Sequence, residues 1–359
     1  MVLTPDPIAL WVIPVADIGG VARHVLDTAR QGVPGWRLVV LCPQGPLAEE
    51  LQARGAAVVT GEFGPDAGVL ASVRTLRRVA RALRPATVHS HLAYADIIVA
   101  ATPLPAGTRR FTTEHGIAGP DAVYHGSAAK SRIMGAVHHL RLRRFDGVIA
   151  VSEATRRAMI AKWRPRQQIS VIRNGVDLPE GIVPRSPAAG PSGADQALRI
   201  LSLSRLAPEK RIDVLIDAFA LVHAERSDAT LTIAGAGPLE QSLRAQVTRA
   251  GLSGVVSFPG FVDPEEAIGA ADVVVQLSVW ENCSYTLLDA IARGVRVVAS
   301  DVGGNAEIVP AGSLVSDPED PAAVARTLAA IASSGVEAEW GEVDDVAVMV
   351  ERTSAAYQR

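Results

Sequence analysis

Three features of the sequence predict an α/β fold built on parallel sheets. Short runs rich in Val and Ile alternate with longer segments of helical period, as strands buried on both faces of a parallel sheet require. Apolar residues make up 48% and charged residues 20%, a globular profile; with aromatics at only 4%, the cores rest on Ala, Val, Leu and Ile. A length of 359 residues suits two domains better than one.

Taken in order, strands are expected at residues 9–14, 37–41, 56–60, 87–90, 110–114, 147–151 and 169–172, with helices in the gaps, notably 69–83 and 127–144. The apolar run 8–15 contains Pro14 and lacks a basic leader, so it reads as the first strand and not as a targeting segment. A Pro- and Gly-rich stretch over 178–197 breaks the rhythm and reads as a linker. The pattern restarts with strands at 199–204, 230–234, 255–258, 273–277, 295–300 and 313–315. Asp263-Pro264 and Asp320-Pro321 each pair a capping residue with proline at the first helical position. A last helical segment, 342–357, has no strand after it.

Charge is distributed unevenly. Residues 1–177 hold 22 Lys and Arg against 13 Asp and Glu, so +9, and the remainder holds 13 against 25, so −12. A basic half suggests an anionic partner, either nucleic acid or a lipid surface. No nucleic-acid reading helix or aromatic platform is recognisable, which disfavours the former. No apolar stretch approaches the roughly 18 residues of a membrane span. Cys42 and Cys283 stand alone, without disulfide or zinc spacing, as in a reducing cytosol.

In open parallel sheets ligands sit beyond the carboxyl ends of the strands, so the residues leaving each strand carry the functional signal. The first strand runs into Gly19-Gly20, where a backbone without side chains can approach a ligand and aim amides at an anion; a plain tight turn has the same appearance. Arg205 and Lys210 set a planar fork and a mobile point charge across a strand end and a helix start, a pair suited to a diphosphate, although two solvated cations would look alike. Gly235 and Gly237 follow the next strand and leave room for a flat ring or a ribose. Glu281 lies in a loop and Asp289 in the helix after it, acceptors for sugar and ribose hydroxyls, while the amides of Asn282, Cys283 and Ser284 point at phosphate from the helix start.

The order of Gly19-Gly20, His115-Gly116, Asn174-Gly175-Val176-Asp177, Arg205, Lys210, Gly235-x-Gly237-Pro238, Glu281, Asp289 and Asp301-Val302-Gly303-Gly304 resembles the family 4 retaining glycosyltransferases with a GT-B fold. The match spans nearly the whole chain. The resemblance implies two Rossmann-like domains facing a cleft: residues 1–177 binding the acceptor, 178–197 linking, 198–335 binding the nucleotide sugar, and 336–359 forming a helix that crosses back to the first domain. It further implies that Arg205 and Lys210 neutralise the diphosphate, that Glu281 contacts the donor sugar, and that Asn282, Cys283 and Ser284 supply amides. Asp289 would hold the ribose, Gly235, Gly237, Phe261 and Val262 would lie by the base, His115 would reach the reacting sugar, and Gly19 and Gly20 would close over the phosphates.

Two positions depart from the family pattern, which usually has Glu at Asp289 and Pro at Arg296. The expected activity is metal-independent, retaining hexosyl transfer by front-face displacement to a glycan, lipid-linked or small-molecule acceptor, without a cofactor. No nucleophile paired with a base stands out, and no Asp-x-Asp stretch that would hold a metal is present. The expected setting is cytoplasmic, with the basic half, including Arg74, Arg77, Arg78, Arg81, Arg84 and the 127–144 helix with Arg141, laid against an anionic membrane face. Two other readings stay open on sequence alone. One is a nucleotide-sugar epimerase or phosphorylase on the same scaffold; the other is a degenerate member that binds a glycan or a partner enzyme.

Overall fold

The computed structural model describes residues 5–117, 135, 137–178, 197–333 and 343–359. The chain divides into two compact units, one of Met1–Gly175 with Asp344–Arg359, the other of Val176–Val343. Each is a parallel α/β unit, as its residue pattern predicts.

In the first unit, strands β1 (Ile8–Val12), β2 (Arg37–Cys42), β3 (Val58–Thr60), β4 (Thr87–His91), β5 (Arg109–Glu114), β6 (Gly147–Ala150) and β7 (Ile169–Val171) form one sheet in the order β3-β2-β1-β4-β5-β6-β7. Between them run α1 (Gly20–Gln31), α2 (Pro46–Ala53), α3 (Val69–Leu83), α4 (Ala93–Ala101) and α5 (Glu153–Trp163). The continuous apolar run of β1 is explained by its central place between β2 and β4. Alternate residues serve opposite layers: Leu10 and Val12 pack with Leu76 of α3 and Ile98 of α4. Ala9, Trp11 and Ile13 pack with Val25 of α1 and Leu47 of α2.

In the second unit, strands β8 (Arg199–Leu203), β9 (Thr230–Ala234), β10 (Val256–Gly260), β11 (Val273–Gln276), β12 (Arg296–Ser300) and β13 (Leu314–Val315) take the order β10-β9-β8-β11-β12-β13. Their helices are α6 (Ile212–Glu225), α7 (Glu240–Arg249), α8 (Pro264–Ala270), α9 (Tyr285–Ala292) and α10 (Pro321–Ser333). The two Asp-Pro starts behave as expected. Asp263 accepts the Glu266 amide at 2.9 Å, and Asp320 accepts those of Ala322 and Ala323 at 2.9 and 3.1 Å. The expected linker, apart from Leu178 and Ala197, lies outside the described residues.

The chain's last helix, α11 (Val346–Gln358), belongs to the first unit. Its Tyr357 ring is buried against Phe111 and Trp36, and the phenol oxygen accepts Trp11 Nε1–H at 2.8 Å while donating to His89 Nδ1 at 2.5 Å. Arg109 donates to the Tyr357 carbonyl at 2.8 Å, and Ser354 Oγ to that of Pro34 at 2.7 Å. Gly175 is where this helix enters: a Cβ there would meet the Asp345 carbonyl oxygen at 2.3 Å and Val346 Cα at 2.8 Å. The glycine of the Asn174-Gly175 motif is thus a packing requirement.

Tyr357→Phe keeps the ring and removes the hydroxyl, leaving the buried Trp11 N–H and His89 Nδ1 without that partner. We expect a loss of about 1–3 kcal/mol of stability, read as a lowered urea midpoint; an unchanged midpoint would show that the bonds contribute nothing net.

Candidate active site

Strand order reverses between β8 and β11, and the loops leaving these two strands part to opposite sides there, which is where an open parallel sheet forms its ligand crevice. The β8 exit carries Arg205 and a short turn, Pro208–Lys210. The β11 exit carries Ser278, Glu281 and the start of α9. A hydrogen bond from the Val279 amide to the Glu209 carbonyl, 2.8 Å, ties the two loops. Lys210 Nζ is ion-paired to Glu281 Oε1 and donates to Ser278 Oγ at 3.2 Å. The same Glu281 oxygen accepts Gln276 Nε2 at 2.6 Å and Ser278 Oγ at 2.8 Å. Lys210 and Glu281 are both mostly buried, so a cation and an anion are held in fixed geometry at the rim. Arg205 lies outside them, 68% exposed at its side chain and paired with Glu209.

Backbone crowding explains the glycines of this unit. Gly303 has φ +54°, and a Cβ on it would lie 1.8 Å from the Glu281 carbonyl oxygen, which the Gly304 amide bonds at 2.9 Å. Asp301-Val302-Gly303-Gly304 therefore holds the Glu281 backbone. Gly235, φ +121°, and Gly237 leave space that the Ser204 and Leu206 carbonyl oxygens fill, at 2.0 and 2.3 Å from the missing Cβ atoms. That space, expected to accept a ring, is taken by the β8 loop.

Ser284 caps α9, accepting the Leu287 amide at 3.4 Å and donating to Gln276 Oε1 at 2.7 Å. Asn282 is buried and accepts Trp280 Nε1–H at 3.3 Å, and Cys283 is half-buried. Asp289 is buried, 3.4 Å from Arg293. Phe261 is 87% exposed, beside half-buried Val262. Arg296, where proline is usual, donates to the Ala332 carbonyl at 3.4 Å, a structural tie.

The first unit reverses its strand order between β1 and β4. Beyond β1, Gly19 and Gly20 are exposed and open α1 without a side-chain cap, so the first-turn amides remain available to an anion. Gly19 has extended backbone, and a Cβ on it would meet nothing within 4 Å, so sterics alone do not demand a glycine. His91 ends β4 and half-buried His115 follows β5, and their Nδ1 and Nε2 respectively are 2.8 Å apart. His24 of α1 stacks on Trp11 and contacts both rings.

Behind His115, Glu114 Oε1 accepts the Gly116 amide at 3.2 Å, and Glu114 Oε2 accepts Arg141 Nη2 at 3.1 Å. Arg141 is also paired with Asp96, which accepts Ser90 and Thr112 hydroxyls. The sequence places Arg141 on a basic surface, and the structure corrects this: it is 3% exposed and paired with two carboxylates. Lys130, Arg132, Ile133 and Met134 of the same expected helix lie outside the described residues.

Burial shifts these groups strongly. It lowers His24 to about 4 and holds His89 and His91 well below the ordinary imidazole value, and it raises Glu114 to about 7. Ring nitrogens of His24, His91 and His115 all lie within 4.8 Å of one another, which raises the question of a metal. A zinc ion with bonds of about 2.0–2.1 Å in tetrahedral geometry would set two nitrogens roughly 3.3 Å apart. His91 and His115 are closed to 2.8 Å, a hydrogen bond, so the donor set does not fit an ion without opening. Sequence reading did not single out His91, Glu114, Gln276 or Ser278. His91, Ser278 and Glu114 were findable by the rule used for the others, since each ends or leaves a predicted strand.

The Glycosyltransferase Family 4 pattern matches residues 18–180, and the Glycosyl transferases group 1 pattern matches residues 191–341. A glycogen synthase of Mycobacterium tuberculosis is 29% identical over 390 residues, covering 97% of this chain and 88% of its own. The 2-deoxystreptamine glucosyltransferase of Streptomyces kanamyceticus is 27% identical over 338 residues, covering 86% and 84%. Among solved structures, Anabaena HepE in complex with UDP and glucose superposes with a TM-score of 0.75 at 21% identity, covering 97% of this chain and 95% of that one. Sucrose-phosphate synthase from Thermosynechococcus elongatus gives 0.72 at 19% identity, covering 98% and 94%. Both structures share the GT-B fold with this chain.

The buried imidazoles make stability depend on pH. Between about pH 4 and 6.5 the unfolded chain binds protons that His24, His89, His91 and His115 refuse in the folded state, so stability falls as pH drops below about 6.5. Glu114 acts in the opposite sense, because its raised value favours the folded state at low pH and that contribution is lost as pH rises through about 7. Four groups outweigh one, so the denaturation midpoint should be lower at about pH 5.5 than at about pH 7. A midpoint that rises on acidification would contradict the neutral histidines.

Proposed function

The chain belongs to the family 4 glycosyltransferases with a GT-B fold, enzymes that use a nucleotide-sugar donor, and we propose that it transfers a hexose-type sugar from a nucleoside-diphosphate sugar with retention at the anomeric carbon. The acceptor is a glycan, a lipid-linked sugar or a small molecule. The observation that carries this reading is the fixed Lys210–Glu281 pair with Arg205 beside it at the strand reversal of the second unit. UDP and glucose bound to the Anabaena neighbour, and the glucosyl activity in the name of the Streptomyces relative, support a diphosphate donor carrying a hexose.

In the proposed reaction the acceptor hydroxyl oxygen bonds to the anomeric carbon on the face from which the diphosphate leaves. The bond between that carbon and the phosphate oxygen breaks, and the departing oxygen takes the acceptor's proton. Negative charge grows on the diphosphate, where the Arg205 fork and Lys210 Nζ neutralise it together with the amides of Asn282, Cys283 and Ser284. Glu281 commits Oε1 to three protein contacts and turns Oε2 to the hydroxyls of the sugar. Exposed Phe261, beside Val262 and the Gly235–Gly237 loop, stacks on the base. Asp289 holds the ribose through hydroxyl hydrogen bonds, which requires Arg293 to share it. His115 contacts the transferred sugar, and Gly19 and Gly20 offer amides to the phosphates.

These charges supply what a divalent ion would otherwise provide, so the reaction is metal-independent in this reading. The decisive assay uses a panel of nucleotide sugars in excess EDTA, with the anomeric configuration of the product read by proton NMR. Retention is expected, and Arg205→Ala and Lys210→Ala should each slow turnover by roughly 10²-fold or more. Near-normal rates in both variants, an inverted product, or activity that returns only with magnesium or manganese would each contradict the mechanism.

Surface charge favours a lipid-linked acceptor met at a cytoplasmic membrane face. Arg74, Arg77, Arg78 and Arg81 are exposed on α3 and Arg84 at its end, with Val69 and Leu70 exposed at its start. No described helix is long and apolar enough to cross a membrane. Sedimentation with vesicles should show binding that rises with anionic lipid and falls with salt; no binding at low salt would leave a soluble acceptor.

A further inference from the structure

The histidine pair at the reversal of the first unit assigns a role to a residue that the proposed reaction does not use. We propose that His91 is a positioning residue: its Nδ1–H donates to His115 Nε2, locks His115 in the Nδ1-protonated tautomer, and so makes the half-buried ring a hydrogen-bond donor toward the oxygen-rich donor substrate.

The direction follows from counting polar atoms. The two facing nitrogens, 2.8 Å apart, share one proton. His91 is fully buried and its Nε2 has no hydrogen-bond partner among the described residues. Were His115 the donor, the proton of neutral His91 would sit on that Nε2 as an orphaned N–H in the interior. Orphaned buried N–H groups are rarer in proteins than under-satisfied acceptors. With His91 as donor, its Nε2 carries only a lone pair. The proton of neutral His115 is then forced onto Nδ1, a nitrogen with no protein partner among the described residues and a half-exposed ring to present it.

Neighbouring groups hold the arrangement. Trp11 can only donate, so the Tyr357 hydroxyl accepts from it and donates to His89 Nδ1; His89 Nε2–H then donates to Thr113 Oγ1 at 2.8 Å. His89 and His91 alternate on β4 and face one another at 4.5 Å, and His91 lies 4.4 Å from Trp11, so neither imidazole can flip without displacing the other or the indole. Burial keeps the rings neutral, the condition for a single defined tautomer. A ring that presents N–H is matched to hydroxyl or phosphate oxygens and is unable to serve as a base on that side.

What His115 meets rests on the glycosyltransferase reading; its tautomer does not. The test is a long-range proton–nitrogen correlation spectrum of the full chain labelled on histidine nitrogen, with His115→Gln to assign the signals. The wild type should show the His115 proton on Nδ1. His91→Phe keeps a flat ring but removes the donor, and His115 should shift to the Nε2-protonated form that predominates in water. His91→Asn places an amide N–H near the lost Nδ1 and should retain the wild-type tautomer.

In the transfer assay, His91→Phe should raise KM for the donor and lower kcat/KM by about 10-fold, with His91→Asn restoring most of it. A wild-type His115 protonated on Nε2 overturns the proposal even if His91→Phe fails to fold. An unchanged tautomer in folded His91→Phe overturns it as well. A correct tautomer in a protein that transfers nothing would instead count against the proposed function alone, because the spectra need no substrate.

Discussion

A single reversal of strand order in each sheet governs where chemistry can occur in this molecule. Parallel strands are joined by right-handed crossovers, so the connection leaving β1 returns on one side of the sheet and that leaving β4 on the other. Between them the backbone parts, and side chains that would elsewhere be covered by the next helix are left at an opening. The same division between β8 and β11 sets Arg205, Lys210 and Glu281 at its edge, whereas equivalent exits at β9 and β12 are filled by neighbouring loops, as the crowding at Gly235 and Gly303 shows.

The two openings are electrostatically unlike. At the second unit Arg205 and the Lys210–Glu281 pair stand at a rim, where the cations can meet an anion. At the first the chain buries a Trp–His cluster as neutral rings and sets a fully buried Asp96–Arg141–Glu114 group behind it. Such buried ions contribute little net stability once desolvation is counted. Their hydrogen bonds instead fix the turn at Gly116 and the ends of β4 and β5, so the energy of the arrangement is spent on geometry.

Much of this was legible in the sequence because strand runs and strand exits obey simple rules. β1 was visible as an uninterrupted apolar run since both its faces are covered, and α8 and α10 were visible from Asp-Pro starts whose carboxylates do cap them. Strand edges were less sharp: β3 begins at Val58, after the Gly55 turn, and not at Ala56. Burial was the part that could not be read. Arg141 carries the same charge as its exposed neighbours Arg143 and Arg144, and only the carboxylates brought to it from β5 and α4 distinguish it. Likewise the glycines read as space for a ligand are, at Gly235 and Gly237, space for the chain's own backbone. One-dimensional pattern carries the period of an element and not the partner that fills a gap.

The return of α11 to the first unit has a consequence for how the protein is made. Synthesis delivers β1 to β7 early, but the phenol that bonds Trp11 and His89 arrives only after the whole second unit has been translated. At about 5–20 residues per second on the ribosome, the first unit waits on the order of ten to thirty seconds with the hydrophobic cleft for α11 uncovered. Its layers can collapse in that interval, yet they cannot close. The second unit is contiguous in sequence and can complete itself at once, so the half of the chain translated second is able to finish folding first.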